Sequence, residues 1–163
     1  MKNIIKKIAI VSSMAVGLAA VGQANANTIS LPRAVTGTVT VSQSATVDCT
    51  FSGTLRQRTD GRLEIANPAF GRGNILCGTV VRPNAGPWIV DPVVPLTGSH
   101  SNVAVSISGV GATTILGGSC TGTITGKLND NGSSGHTLVV DPAPQTLPGT
   151  PSSCQVISGT FNF

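Results

Sequence analysis

The periodicity of the β-branched and apolar residues constrains this chain more than any other feature. Val35, Gly37, Val39 and Val41 alternate with Thr36, Thr38 and Thr40, and a period of two puts each set on one face of a half-buried strand. Residues 45–55 repeat the pattern, with Val47, Cys49, Phe51, Gly53 and Leu55 on one side. Shorter runs at 62–66, 75–81, 88–90, 102–108, 112–116, 119–128 and 136–140 are bounded by Gly, Pro, Asn or Asp, the residues that punctuate β structure. The run at 154–163 sets Val156, Ser158, Thr160 and Asn162 against Ile157, Gly159, Phe161 and Phe163. No window of useful length after residue 26 carries a helical period. About eight to ten short strands with regular turn signals predict an all-β fold, a single small sandwich or barrel-like domain of short antiparallel strands.

Bulk is concentrated between residues 67 and 92, which hold the only tryptophan, Trp88, together with Phe70 and Cys77. A buried aromatic covers roughly 150–250 Å², so Phe70 and Trp88 are the expected seed of the core. Residues 82–87 contain Pro83 and Pro87 and read as a loop, because proline removes a ladder donor and fixes φ. Asp60-Gly61 signals a two-residue hairpin turn. In that register Arg56 opposes Ile65 and Arg58 opposes Leu63, mixing charge with apolar residues on one face. Gly109-Val110-Gly111 and Gly117-Gly118 read as breaks, 129–135 as a turn tract, and 93–101 and the proline-bearing 143–153 as loops. Three strands begin with cysteine and contain Gly and Thr (from Cys49, Cys120 and Cys154), an echo that β composition explains better than duplication.

Lys2, Lys6 and Lys7 precede an apolar run at 8–21, and Ala24-Asn25-Ala26 fits a small-x-small cleavage site. Residues 1–26 therefore read as a secretory signal peptide, with 27–163 as the exported domain. The apolar run is shorter than the ~20 residues of a membrane-spanning helix, and no other segment qualifies. Cleavage would leave seven Lys and Arg against six Asp and Glu. The basic character of the whole chain is then mostly the export signal and gives no support to nucleic-acid binding, which uses clustered Lys and Arg. So few charges, in near balance, give weak protection against self-association. Four cysteines in an exported chain predict two disulfides. Of the three connectivities, Cys49–Cys77 with Cys120–Cys154 is preferred because each pair staples one half of the chain. No two cysteines have the C-x₂₋₄-C spacing of a zinc half-site.

No residue pattern in the chain supports catalysis, and the chain reads as non-enzymatic with no cofactor or metal site. His100 and His136, the only histidines, sit in Ser/Gly-rich turns, and neither has the context of a serine-hydrolase triad. Glu64 is the only glutamate, and the five aspartates are explained by turns and strand ends, leaving no paired carboxylates for glycoside hydrolysis. Residues 129–133 lack the spaced acids of a calcium loop, and the Gly-x-Gly fragments precede no helix that would cradle a phosphate. Arg56, Arg58, Arg62, Arg72 and Arg82 cluster in the first half. They read first as solvated strand edges that resist edge pairing, and secondarily as a basic rim for anionic polysaccharide or lipid headgroups.

The leader, the Thr/Val strand into Val47-Asp48-Cys49-Thr50-Phe51-Ser52-Gly53, then Phe70, Cys77-Gly78, Pro87-Trp88-x-Val90, Ser108-Gly109-Val110-Gly111, Cys120 and Cys154-x-x-Ile157-Ser158-Gly159 form a frame. It resembles the alkane-oxidation activator family, called PraB. That resemblance implies a secreted or surface-associated bacterial protein, extracellular, at the cell surface or periplasmic, that aids growth on hydrocarbon without being the oxygenase. Hydrocarbon or cell-surface components are the implied partners. A rival expectation is a pilin-like fibre subunit, with the N-terminal strand as donor and the C-terminal strand as an open edge. Against it stand four cysteines instead of one pair and the lack of any tyrosine. An outer-membrane barrel would need lipid-facing strands with aromatic girdles, which four Phe and one Trp cannot supply.

Overall fold

Alternation becomes eleven strands among the described residues: β1 (Arg33–Ser42), β2 (Thr46–Gln57), β3 (Leu63–Gly71), β4 (Val81–Pro83), β5 (Trp88–Asp91), β6 (Val103–Thr114), β7 (Ser119–Asp130), β8 (His136–Val140), β9 (Gln145–Leu147), β10 (Gly149–Thr150) and β11 (Cys154–Asn162). The computed structural model describes residues 29–163 except Arg72, Val93, Pro95, Leu96, Leu116 and 132–134. The expected signal peptide lies outside the described residues.

The sheet closes on itself. Pairing runs β1–β2–β3–β5–β6–β7–β8–β11 and back to β1, and every step is antiparallel. Of the two architectures left open by periodicity, the chain adopts the barrel. Inward positions of β2 are Val47, Cys49, Phe51 and Leu55, all buried, while Thr50 and Ser52 face out. On β7, Thr121, Thr123, Thr125 and Lys127 are exposed between buried Cys120, Ile124 and Leu128. Apolar-in and polar-out is the reverse of a membrane-spanning barrel. Among the described residues no helix is long and apolar enough to cross a membrane.

Closure also corrects the open edge expected at the C-terminus. β11 is paired with β1 on one side and with β8 and β9 on the other, and β1 lies between β11 and β2. Adding a foreign strand beside either would require opening the barrel.

Five local departures from the expected pattern have physical causes. The β2–β3 turn contains three residues, because the Arg58 amide donates to the Arg62 carbonyl (2.9 Å) and Gly61 takes φ +85°. A glycine in the left-handed region after a type I turn is the three-residue hairpin geometry. The register therefore slips by one from the expected two-residue turn, and Arg56 faces Glu64 while Leu55 faces Ile65. A one-residue slip exchanges the faces, and here it removes the clash of charge with apolar side chains.

The expected break at Gly109 is instead a bulge inside β6: the pairing with β7 shifts between Ser108 and Val110, and Gly109 has φ +74°. The added residue moves the inward set from Val105 and Ile107 to Val110. β11 does the same near Ile157, where its pairing with β1 shifts. Cys154 and Val156 point in, then Gly159, Phe161 and Phe163, so the unbroken alternation expected over 154–163 changes phase.

Residues 75–80, expected to be strand, form turns. The Asn74 side chain accepts from the Leu76 amide (3.0 Å), and the Val80 amide reaches the Leu76 carbonyl (2.9 Å). A side chain that bonds to the backbone two residues on competes with ladder formation. The expected loop at 143–153 holds β9 and β10. Beyond β8, these short strands take its place, β9 against β11 and β10 against β7. The Gln145 amide bridges the join: its Nε2 donates to the Thr125 carbonyl (2.9 Å) and its Oε1 accepts from the Thr125 amide (2.6 Å).

Candidate functional site at the open end of the barrel

The two ends of the barrel differ in chemistry. At the β2–β3 hairpin end, Arg56 and Arg58 both bond to Glu64, the latter at 3.1 Å. Arg58 also reaches Asp60 (3.3 Å), and Arg62 reaches Asp91 (3.2 Å). Of the arginines singled out as a basic rim, Arg56, Arg58 and Arg62 are thus paired with carboxylates, whereas Arg82, in β4, donates from Nε to the Gly78 carbonyl (3.2 Å). Glu64 is only 5 % exposed. Burial opposes its ionisation, yet the hydrogen bonds from Arg56 and Arg58 outweigh burial and hold the carboxyl below its usual range.

The same end is closed by the histidines. They are buried, not displayed in turns: His100 and His136 ring centroids lie 5.1 Å apart, and His136 stacks on Phe163 at 5.8 Å. The His136 and Phe163 backbones bond reciprocally at 2.6 and 2.9 Å, which anchors the last residue against β8. Burial, then the neighbouring His100, pushes the His136 imidazole below its ordinary pKa, with Asp130 pulling the other way. Among the described residues no group of three or more His, Cys, Asp and Glu side chains comes together to hold a metal.

The opposite end is an open mouth over an apolar cavity of about 250 Å³. Its floor is an aromatic layer spanning the barrel. Phe70, Trp88 and Phe161 line the cavity, and Phe51 locks them from beneath, stacked on Trp88 at 5.1 Å and edge-on to Phe161 at 4.9 Å. The buried Trp88 indole donates to Asn84 (2.8 Å), and Asn84 donates in turn to the Gly109 carbonyl (2.8 Å). The bulge in β6 therefore helps to hold the indole. Phe70 and Trp88 are at once core residues and cavity surface.

The rim is built from four connections. Residues 42–45 join β1 to β2, and the Gln43 side chain donates from Nε2 to the Ser152 carbonyl (2.7 Å) before β11. The 74–80 turns contribute Leu76 and Val80, and the Ile115 amide, in the β6–β7 turn, donates to the Val80 carbonyl (3.1 Å). Ile75 and Ile115 project from these last two segments, 86 % and 65 % exposed. None of the described lining residues carries an ionisable side chain. This geometry offers apolar contact and enclosure, with no acid–base pair directed at the space.

Cystines fix the mouth. Cys49–Cys77 ties the 74–80 turns to β2, and Cys120–Cys154 links β7 to β11 across the gap where β8 has ended. Both Cys120 and Cys154 line the cavity. The cavity itself was not anticipated from sequence. Its one signal is scarcity of bulk: an eight-stranded interior is just wide enough for side chains to fill, while this mouth is lined by Gly111, Ala112, Gly118 and several valines.

No curated protein and no solved structure matches the chain. A family model described as alkane oxidation protein activator PraA/PraB-like matches residues 1–163, and the chain, matched over its whole length, belongs to that family.

Proposed function

We propose that this protein is an exported, non-catalytic factor that works at the boundary between hydrocarbon and water, outside the cell or at its surface. In this reading it contacts hydrocarbon through the open, apolar-lined end of its barrel. The observation that carries the reading is the placement of Ile75 and Ile115, both exposed on that rim, while the arginine–carboxylate network occupies the other end. Apolar side chains at the point of contact require no ion to be stripped of water, and burying an isoleucine contributes about 1.5–3 kcal/mol. The family's description as an activator of alkane oxidation supports hydrocarbon as the partner and an accessory role. The leader pattern at residues 1–26 and two disulfides support export.

The test is adsorption to a hexadecane–water interface, followed by pendant-drop tension. Ile75→Asp/Ile115→Asp removes two apolar contacts and adds two charges. It is expected to need at least about 100-fold more protein for the same drop in tension, while Arg62→Ser at the opposite end adsorbs like the native chain. Equal adsorption by a natively folded double variant would refute the reading.

A further inference from the structure

We infer that the cavity behind the rim is a binding site for one aliphatic chain. Protein interiors are packed to crystal density, and voids larger than a water are few. The space here is about 250 Å³, close to the lower end of the roughly 300–1,000 Å³ of small-molecule sites. It lies inside an eight-stranded barrel, the size that is either filled by side chains or holds one small ligand.

Chemistry selects the ligand class. Val110, Ile124 and Val156 form walls above the floor of Phe70, Trp88 and Phe161. A polar or charged group lowered among them would lose water without gaining a partner. A saturated chain has nothing to lose and gains with every methylene buried. The polar side chains of the lining, Ser42, Gln43, Ser44, Thr114 and Ser152, belong to the rim connections and the strand ends beside them. A head group can therefore remain in water there while the chain lies inside. The ligand chemistry is an unbranched aliphatic chain, supplied either by free alkane or by a fatty acid. This goes beyond adsorption: surface contact uses the rim residues, whereas chain binding uses the enclosed volume.

Trp88 is the only tryptophan in the chain and forms part of the cavity floor, so the protein carries its own reporter. A 1-bromoalkane, titrated below its droplet-forming concentration, is expected to quench Trp88 fluorescence saturably. Unbrominated n-alkanes should compete, each added methylene strengthening binding about fourfold until the cavity is full, after which affinity levels off. Ala112→Phe and Val41→Phe, from β6 and β1, each place a ring in the space. Either is expected to weaken quenching at least tenfold; thermal unfolding and near-UV dichroism identify which variant keeps the native fold.

Competition by alkane alone would identify free hydrocarbon as the ligand. Competition by fatty acid of the same length as well would show that the site takes any chain whose head stays at the mouth. Absence of saturable quenching, or quenching unchanged in a natively folded cavity-filled variant, would overturn the inference. Quenching without interfacial adsorption would leave the chain site standing and remove the proposed surface role; adsorption without quenching would do the reverse.

Discussion

Replacing Cys49 and Cys77 together by serine tests how the mouth is held. The disulfide closes a loop of sequence separation 28, and the chain-entropy relation assigns such a closure about 3.6 kcal/mol. For a domain of this length that corresponds to a fall in Tm of about 10–15 °C. The loss should not be spread evenly. The 74–80 turns are held mainly by their own backbone bonds, by the Ile115–Val80 bond and by the bridge to Cys49. Without the bridge, the turns carrying Ile75 and Leu76 should open before the barrel does.

Calorimetry on the double variant gives the global term, and limited proteolysis gives the local one, with early cuts expected between residues 72 and 80. Cys120→Ser/Cys154→Ser is the control. Its separation of 34 predicts a nearly equal loss, about 3.8 kcal/mol. Its early cleavage, however, should fall near 143–153, where β9 and β10 replace β8. A Tm within about 2 °C of native for Cys49→Ser/Cys77→Ser would refute the stapling argument. Identical cleavage maps for the two variants would refute the local one.

Two further predictions concern the charged end. Glu64→Gln keeps the packing but loses the charge that Arg56 and Arg58 face, and should cost about 2 kcal/mol at pH 7 by urea unfolding. Because the folded carboxyl titrates below its unfolded value, its stabilisation is complete above about pH 4.3 and disappears as pH falls through the lower folded value. The native and Glu64→Gln chains should therefore converge in acid, and a gap that widened would reverse the sign of the account. His136 faces His100, Asp130 and Arg33, and its folded pKa is depressed, chiefly by burial. The unfolded chain takes up a proton near pH 6.5 that the folded chain refuses, so each pH unit below that point should remove about 1.4 kcal/mol until the folded value is reached. The urea midpoint should drop between pH 7.5 and 5.5 in the native protein and much less in His136→Gln; a flat native profile would refute the assignment.

What was legible in the sequence is what period two reports directly. The inward face of β2, from Val47 to Leu55, and the bounds of β8 follow from alternation and flanking turn residues, and so does the all-β class. What was not legible depends on single extra residues. One more residue in the 58–62 turn changes the partner of Arg56 from Ile65 to Glu64, and the turn signal Asp60-Gly61 is compatible with either length. The bulges at Gly109 and Ile157 reverse a strand's faces midway, which periodicity registers only as weakened alternation. At 75–80 the local bond from Asn74 defeats a β-rich run. The histidines are polar residues flanked by turn formers, and only the closing of the barrel end buries them. The cavity belongs to the same class, since it is a property of eight inward faces together and of no segment alone.

Amide hydrogen exchange of the protein adsorbed on hexadecane droplets, compared with the free protein, tests the central claim most directly. The account predicts new protection at the rim, in residues 74–80 and in the β6–β7 turn around Ile115, with exchange unchanged in the 58–62 hairpin. Protection confined to the hairpin end, or spread evenly over both ends, would contradict it.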